Sequence, residues 1–301
     1  MQDSPPSCPL VVGVDVGGTK THLRALAGDA TVADHVRSST GWRPHDPAAA
    51  RWLTDLVREA LPAGARPSAL AVGAHACETP RQCAEIGDAV RLSLGVPTRV
   101  VGDAELLVPA AGLDKGVGLV AGTGSVAVGR LPDGDPVQVG GWGAVLGDEG
   151  GAAGLVREAA RAVWAAHDRG EEPGALALGL LTAFGVPEVP ALGAALEGAS
   201  DVSAEWGRHA PVVFAAAADG SALARSVIAE AGAALATLVA RLAARGVAVD
   251  DVVVAGGTVL GQPALYDAFA SALADAVPGA RARPLTVPPV EGAVALARSL
   301  L

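Results

Sequence analysis

Short apolar runs that end in glycine or an acidic residue recur along the chain and predict buried strands. The clearest runs are Leu10–Val16, Leu70–Gly73, Gly116–Ala121 and Asp251–Ala255. An uninterrupted apolar run bounded by turn residues is typical of a strand covered on both faces. A further strand, Arg99–Val101, stops at Gly102-Asp103. These runs therefore predict strands that are buried inside the protein.

Two of the apolar runs are each followed by two more strands, and the two passes match. The strands expected after the first run are His22–Ala27 and Thr31–Val36, and those after Gly116–Ala121 are Val126–Leu131 and Pro136–Val139. Both passes have the order strand, glycine turn, strand, turn, strand, at an offset of roughly a hundred residues. The pattern therefore indicates duplicated halves.

Between these strands, helical periodicity and capping residues predict helices. The predicted helices run from Asp46-Pro47 to Leu61, from Thr79-Pro80 to Gly95, and over Glu149–His167, Ala222–Ala244, Pro263–Val277 and Glu291–Leu301, with shorter ones between Gly174 and Ala218 and a late strand at Arg281–Val287. Strands that alternate with helices in this way predict the α/β class. The expected domains are 1–114, completed by a helix at 290–301, and 115–289 with a helical insert.

Length and charge agree with two domains and exclude some partners. The 301 residues correspond to two domains at about 150 residues each. Half of the residues are hydrophobic, which is enough for a sizeable core. The net charge of −10 argues against nucleic acid or an anionic membrane as a partner. An anionic ligand would need backbone N–H groups and metal ions to hold it.

Membrane and secretion signals are not expected from this sequence. A spanning helix needs about 20 apolar residues, and the longest uncharged runs, such as Pro173–Pro187, are shorter and carry Gly and Pro. Residues 1–9 lack a basic and an apolar region of a signal peptide. The three cysteines are Cys8, Cys77 and Cys83, and an odd count without close spacing favours a reducing compartment. We expect a cytoplasmic protein.

Three glycine turns follow apolar strands and are candidates for holding phosphate. They read Gly17-Gly18-Thr19-Lys20, Gly122-Thr123-Gly124-Ser125 and Gly256-Gly257-Thr258. Glycine lets the backbone approach a phosphate closely, and hydroxyl and N–H groups supply donors. Any one of them could equally be a tight turn. They form no Walker A loop, because no Gly-Lys-Ser/Thr follows a strand with the required spacing. They form no Rossmann turn, because the first two run from strand to strand.

The segment from Gly140 to Gly150 carries a more specific sequence signal than the glycine turns. It reads Gly-Gly-Trp-Gly-Ala-Val-Leu-Gly-Asp-Glu-Gly and closely resembles the signature of N-acetylglucosamine kinases within the BadF/BadG/BcrA/BcrD ATPase family. This family belongs to the sugar kinase, actin and chaperone superfamily. The resemblance implies two duplicated actin-like, ribonuclease H-like α/β domains with a cleft between them. It also implies ATP and Mg²⁺ as cofactors, phosphorylation of the 6-hydroxyl of N-acetylglucosamine or a close relative, and a homodimer.

The resemblance also implies roles for individual residues. Those implied to contact the nucleotide are Gly17, Gly18, Thr19, Lys20, Gly122, Thr123, Gly124, Ala217, Gly256 and Gly257. Those implied to contact the sugar are Gly41, Asp103, Gly141, Trp142 and Asp148. Asp103 would take the proton of the sugar hydroxyl as the catalytic base, and Asp15 would hold Mg²⁺.

Two of these assignments have structural alternatives, and the substrate stays open. Asp103 could be only the N-cap of a following helix, and Asp15 could close an Asx turn. Gly41 and Val126 stand where N-acetylglucosamine-binding relatives carry Asn, which leaves glucosamine and N-acetylmuramic acid as alternative substrates. A BadF-type ATPase or regulator without sugar transfer is the other alternative. An iron–sulfur activator would need cysteines in the second half of the chain, but all three precede Asp103.

Overall fold

A computed structural model describes residues 8–77 and 79–301 and divides into two compact units. Unit 1 is the chain up to Asp114 together with Leu285–Leu301, and unit 2 is Lys115–Pro284. The chain returns to unit 1 at Leu285, ahead of the boundary at residue 290 expected from the sequence.

Both units are built from strands and helices in alternation. The strands are β1 (Leu10–Val16), β2 (Lys20–Ala27), β3 (Ala30–Ser38), β4 (Ala69–Ala74), β5 (Thr98–Gly102), β6 (Val117–Ala121), β7 (Ser125–Arg130), β8 (Pro136–Gly140), β9 (Asp251–Ala255) and β10 (Arg281–Pro284). The helices are α1 (Ala49–Ala60), α2 (Pro80–Leu94), α3 (Leu107–Ala110), α4 (Gly143–Leu146), α5 (Ala152–Asp168), α6 (Ala175–Phe184), α7 (Leu192–Glu197), α8 (Val202–Gly207), α9 (Ala210–Ala218), α10 (Ala222–Ala244), α11 (Gly257–Gly261), α12 (Pro263–Ala276) and α13 (Val290–Arg298).

The two sheets share one topology, which confirms the predicted duplication and the α/β class. The sheet of unit 1 has the order β3-β2-β1-β4-β5, and that of unit 2 has the equivalent order β8-β7-β6-β9-β10. In each, the central strand pairs antiparallel with the next strand in sequence and parallel with the strand on its other side. The carboxyl ends of the parallel strands therefore meet at one edge of each sheet, where ligands commonly bind.

Helix boundaries in unit 1 follow local capping chemistry. Helix α2 begins and ends as predicted, because the Thr79 hydroxyl accepts a hydrogen bond from the Gln82 N–H and Gly95 takes a left-handed conformation. The prediction that α1 begins at Asp46-Pro47 is wrong. The Asp46 carboxylate accepts from the Ala48 N–H at 2.7 Å, which makes a separate turn, and α1 starts only at Ala49.

The C-terminal helix α13 completes unit 1 by packing directly on the sheet. A Cβ at Gly13 of β1 would lie 2.6 Å from the Val294 N atom, so glycine is needed for the close approach. At its start, Glu291 forms an ion pair with Arg24, which also pairs with Asp34 at 2.6 Å. These contacts join the end of the chain to β1, β2 and β3.

The long helix α10 is the centre of the core of unit 2. It is apolar enough, by length and composition, to cross a membrane, and the bent pair formed by α6 and the segment Val189–Glu197 passes the same test. Half of the apolar stretch of α10 is buried inside unit 2, where Leu235, Val239 and Leu242 are fully enclosed. Burial against neighbouring helices accounts for its apolar character.

Close packing of α10 on α12 gives a stability prediction. A Cβ at Gly232 would lie 2.6 Å from the carbonyl carbon of Ala268 and 2.7 Å from the N atom of Phe269. We expect Gly232→Val to lower the free energy of unfolding by about 2 to 3 kcal/mol, because the helices must separate to admit the side chain. Urea unfolding followed by circular dichroism measures this change.

The next residue of the same helix supplies the control for this prediction. Ala233 is exposed, so Ala233→Val places the same branched side chain in solvent and costs at most about 0.7 kcal/mol of helix propensity. Equal losses in the two variants would show that helix propensity, and not the contact with α12, limits residue 232.

Three short features differ from the sequence prediction. Helix α11 stands where the sequence predicts a glycine turn, helix α4 lies in the segment Gly140–Gly150, for which no helix is predicted, and β10 ends at Pro284 instead of continuing to Val287. Four or five residues are too few to show helical periodicity.

Candidate functional site

The carboxyl ends of β1, β4 and β5 bring Asp15, His75 and Asp103 to one edge of unit 1. Asp15 is the penultimate residue of β1, His75 follows β4, and Asp103 follows β5. Nδ1 of His75 lies 3.4 Å from Oδ2 of Asp103. The Asp103 side chain is about one-third exposed, at 34 %, so this carboxylate is accessible to a ligand.

Asp103 is held in position by its own turn without serving as the helix cap. It is the first residue of a 3-10 turn, Asp103–Leu106, and the cap position is Gly102. Oδ1 of Asp103 accepts from the Ala104 N–H at 2.8 Å, and Glu105 accepts from the Gly102 N–H at 3.1 Å. Gly102, and not Asp103, is therefore the N-cap residue of this turn. Oδ2 of Asp103 makes no bond within the turn and faces His75.

The electrostatic environment of Asp15 suits a cation. The pKa of Asp15 is raised to about 7, because burial and the negative charge of Asp103 both raise it and the Lys20 ammonium opposes them only in part. A buried carboxylate beside another carboxylate is stabilised in its ionised form by an added positive charge. The sequence-derived roles of Asp15 and Lys20 stay predictions.

The first glycine turn is closed by backbone bonds and leaves its tip exposed. The Gly17 N–H donates to the Lys20 carbonyl at 3.0 Å, and the Ser39 N–H donates to the Thr19 carbonyl at 3.0 Å. This backbone closure means that the turn does not depend on an Asx bond from Asp15. Gly18 and Thr19 are exposed, and a Cβ at Gly18 would lie only 3.5 Å from Nε2 of His75.

The segment after β3 is anchored by a tryptophan. Trp42 is buried, and its Nε1 donates to the His75 carbonyl at 2.9 Å. The structure thus gives Trp42 the role of fixing the loop that carries His75. Gly41 is exposed with a φ of +91°, and Trp52 lies beneath it. The sugar contact of Gly41 stays a prediction.

In unit 2, the second glycine turn points its carbonyls inward. Gly122 O accepts from the Ala152 N–H at 2.8 Å and from the Thr258 hydroxyl at 2.7 Å, and Thr123 O accepts from the Ala153 N–H at 3.1 Å. Within the described residues, the N–H groups of Thr123 and Gly124 donate to no other protein group. Free N–H groups on a glycine turn can bind the oxygens of an anion.

Asp148 supports this turn from below. It is only 6 % exposed and has a φ of +58°, and its Oδ1 accepts from the Ser125 N–H at 3.3 Å. Burial raises its pKa, and backbone N–H groups of Ser125 and Gly143 oppose that effect. A Cβ at Gly124 would lie 2.5 Å from Oδ2, so the carboxylate packs directly on the turn. Its predicted contact with the sugar is untested.

The segment before Asp148 presents an exposed aromatic ring. The Gly141 N–H donates to the Ser125 carbonyl at 2.8 Å, which joins this segment to the second turn. Trp142 is 69 % exposed and, with Val145, Leu146 and residues 200–203, lines an open cavity of about 590 Å³. A flat apolar ring beside polar groups suits the face of a sugar.

The third glycine run interlocks with the second turn. Gly256 has a φ of +116°, and a Cβ there would overlap the Ala121 carbonyl, so only glycine fits. Gly257 opens α11, whose Thr258 supplies the bond to Gly122. Ala217 lies on a different element, near the end of α9, partly buried against the core of unit 2.

The sequence interpretation assigned no role to several residues that the structure places at these sites. Ser125 is buried, and its hydroxyl donates to the Glu149 carbonyl at 2.7 Å; Thr258 has the equivalent role at Gly122. A hydroxyl residue directly after a glycine turn is the signal that could have identified both. For His75 the sequence offers only its position near the end of the Leu70–Gly73 strand, where a family member could line the sugar pocket; its neighbour Asp103 comes from another strand.

Two comparisons with known sequences describe what this chain resembles. A sequence profile of the BadF/BadG/BcrA/BcrD ATPase family matches residues 12–297. An N-acetylmuramic acid/N-acetylglucosamine kinase of Clostridium acetobutylicum is 32% identical over 178 residues, which are 54% of this chain and 56% of that protein. The alignment thus spans little more than half the length of this curated relative.

Solved structures extend the likeness to nearly the whole chain. A proposed N-acetylglucosamine kinase of Chromobacterium violaceum shares 25% identity at a TM-score of 0.73, covering 97% of this chain and 100% of that one. A glucokinase of the ROK family from Streptomyces griseus, solved with glucose and AMPPNP, has the same fold at 18% identity and a TM-score of 0.55, covering 96% and 98%. With a profile match over most of its length and this fold, the chain belongs to the BadF/BadG/BcrA/BcrD ATPase family.

Proposed function

We propose that this protein is an ATP-dependent amino-sugar kinase that phosphorylates the 6-hydroxyl of N-acetylglucosamine or a close relative. The observation that carries the proposal is the accessible Asp103 carboxylate at the same sheet edge as the first glycine turn. This chain belongs to an ATPase family and is similar to a named amino-sugar kinase, and together these make phosphoryl transfer to a sugar the reaction that this arrangement supports best.

Asp103 acts in this proposal as the general base. Its Oδ1 is occupied by the Ala104 N–H, so Oδ2 is the oxygen that accepts the proton of the sugar hydroxyl. A positioned carboxylate accepts this proton as the hydroxyl attacks the γ-phosphorus, and the bond to the β–γ bridging oxygen breaks. His75, 3.4 Å away, orients Oδ2 and stabilises its charge.

The residues present fit Mg²⁺. Mg²⁺ prefers oxygen ligands and is commonly held by one or two carboxylates together with water and substrate phosphates. Asp15 provides such a carboxylate, and no group of three or more metal-ligating side chains occurs among the described residues, so phosphate oxygens and water would complete the shell. The ion would supply neutralisation of phosphate charge.

Backbone groups carry the phosphate binding in this proposal. The N–H groups of Thr123 and Gly124 are free to bind phosphate oxygens, and the exposed tip of the first turn, Gly18 and Thr19, supplies further donors. In a protein of net charge −10, fixed backbone dipoles of this kind offset the repulsion of the phosphate by the overall negative charge. Gly256 and Gly257 are assigned to the adenosine, and Ala217 to another nucleotide contact.

The test of the function is ADP release with ATP and Mg²⁺ against a panel of sugars. We expect N-acetylglucosamine or N-acetylmuramic acid to raise the rate at least about a hundredfold over ATP alone, with glucosamine and glucose weaker. Phosphate on the 6-hydroxyl, located by NMR of the product, identifies the acceptor. No stimulation by any of the four sugars would reject the kinase proposal in favour of a BadF-type ATPase or regulator. The proposal also includes a cytoplasmic location and a homodimeric state for this protein.

A further inference from the structure

Two thiols of unit 1 lie in direct contact beside the proposed catalytic base. Cys77 follows β4, and Cys83 is the fourth residue of α2. Their Sγ atoms are 2.7 Å apart, and Sγ of Cys83 also lies 3.6 Å from the Cys77 carbonyl oxygen. The residues are 5 % and 7 % exposed. The pair is thus preformed, enclosed and reachable only by small molecules.

The two thiols are chemically unequal. The Cys83 N–H bonds to the Thr79 carbonyl in the first turn of α2, and thiolates are favoured near helix N-termini. The contact between the two sulfurs, in which either can be the donor, lowers the pKa of Cys83 and raises the pKa of Cys77. The position of Cys83 in the first turn of α2 favours it as the partner that forms the thiolate.

The loop between β4 and Cys77 is held under backbone strain. Ala76 has a φ of +59°, one of two described non-glycine residues with a positive value. Such a conformation persists only where its surroundings impose it. Here Trp42 bonds the His75 carbonyl on one side, and the contact with Cys83 holds Cys77 on the other. The Cys77 carbonyl also lies 3.5 Å from where a Cβ of Gly102 would be, next to Asp103.

We propose that Cys77 and Cys83 form a redox-active dithiol that hydroperoxides convert into an intrachain disulfide. The Cys83 thiolate attacks a peroxide oxygen, the O–O bond breaks, and Cys83 becomes a sulfenic acid as the peroxide leaves as hydroxide or alkoxide. The Cys77 sulfur then attacks the Cys83 sulfur, and water leaves. Two thiols and one hydroperoxide thus give one disulfide, one water and one water or alcohol.

This crosslink fixes the loop that carries His75 to the start of α2. In the reduced protein the strained Ala76 can relax when a ligand engages His75 and Asp103. In the oxidised protein the covalent bond holds the loop in one conformation. Closing this bond needs only a small approach of two atoms already in contact, so the fold accommodates both states.

The chemical test uses hydrogen peroxide on the full chain carrying Cys8→Ser, which removes the exposed third thiol. We expect mass spectrometry to show the loss of two hydrogen atoms, no alkylation by iodoacetamide after unfolding, and reversal by dithiothreitol. In the unmodified chain Cys8 is the exposed reference thiol, and it should remain alkylatable when Cys77 and Cys83 no longer are. Two alkylated thiols after peroxide treatment would overturn the proposal.

Serine variants assign the two roles. In Cys77→Ser, peroxide should leave a dimedone-reactive sulfenic acid on Cys83, because no thiol remains to displace water. In Cys83→Ser, Cys77 should stay alkylatable at the same peroxide concentration. A sulfenic acid on Cys77 and none on Cys83 would overturn the assignment. Circular dichroism of both variants establishes that each is folded.

The effect on turnover rests on the proposed kinase function. We expect the disulfide to lower kcat for the sugar about fivefold, as for other mobile active-site loops, and dithiothreitol to restore it. Full turnover in completely oxidised protein would overturn this effect of the crosslink. Disulfide formation in a protein that phosphorylates no sugar even when reduced would reject the kinase proposal and leave the dithiol intact.

Discussion

Asp103→Asn lowers kcat for sugar phosphorylation by about three orders of magnitude, the expected contribution of a positioned general base. Asparagine keeps the shape of the side chain and the acceptor for the Ala104 N–H, but it cannot take the proton of the sugar hydroxyl. KM for ATP should change less than about twofold, because the phosphate turns are intact. The measurement is ADP release at saturating ATP and sugar.

Asp88→Asn is the matched control for Asp103→Asn. It removes the same charge from an exposed position on α2, where Asp88 pairs with Arg91 at 3.2 Å, and an exposed pair contributes little. We expect wild-type kcat for this variant. If Asp103→Asn kept the sugar-dependent rate, or hydrolysed ATP as fast as the wild type with no sugar effect, the assignment of Asp103 as the base would be wrong.

The sheets were predictable because their signal is local and repeated. An apolar run such as Leu10–Val16, which matches β1 residue for residue, needs no knowledge of its neighbours to be identified. The same run and glycine turn recur near residue 117. This repetition predicted that the second sheet has the same topology as the first, since two copies of one pattern fold alike. Helix α10 also matches its predicted range, Ala222–Ala244. Its start has a local signal, because the Ser221 hydroxyl accepts a hydrogen bond from the Ala224 N–H.

The arrangement of the site was only partly predictable, because it depends on residues distant in sequence. The sequence placed Asp15 and Asp103 at strand ends, but it gave no sign that His75 lies beside Asp103 or that Cys77 touches Cys83. The first contact arises because β4 pairs with β5, and the second because Cys83 lies in the first turn of α2, which follows β4. Strand order converts residues separated along the chain into neighbours, and a single sequence carries that order only weakly.

Asp148 shows the same limit with a larger consequence. The family resemblance implies a sugar contact for its carboxylate, and the structure packs that carboxylate against Gly124 and Ser125. The turn that covers the carboxylate is held by α5, whose first N–H groups donate to the carbonyls of Gly122 and Thr123. A local pattern cannot show whether a carboxylate faces a ligand or faces the backbone that binds one.

Asp148→Ala raises KM for ATP about tenfold and leaves KM for the sugar within about twofold. Removing the carboxylate leaves the buried N–H group of Ser125 without its acceptor, which costs about 1 to 3 kcal/mol. The second glycine turn then loses its support, and the free N–H groups of Thr123 and Gly124 are displaced from the phosphate. Steady-state kinetics with each substrate varied in turn separates the two KM values.

Asp148→Asn is the matched control, since its amide oxygen still accepts one of the two N–H bonds and its volume still fills the space beside Gly124. We expect an intermediate KM for ATP and nearly normal kcat. The opposite result, a raised KM for the sugar with ATP binding unchanged in both variants, would show that Asp148 reaches the sugar directly. That outcome requires the carboxylate to leave the turn when the sugar binds, because a side chain 6 % exposed cannot contact Ser125 and a sugar hydroxyl without moving. The same experiment therefore decides whether the turn is a fixed phosphate site or one that rearranges with the sugar.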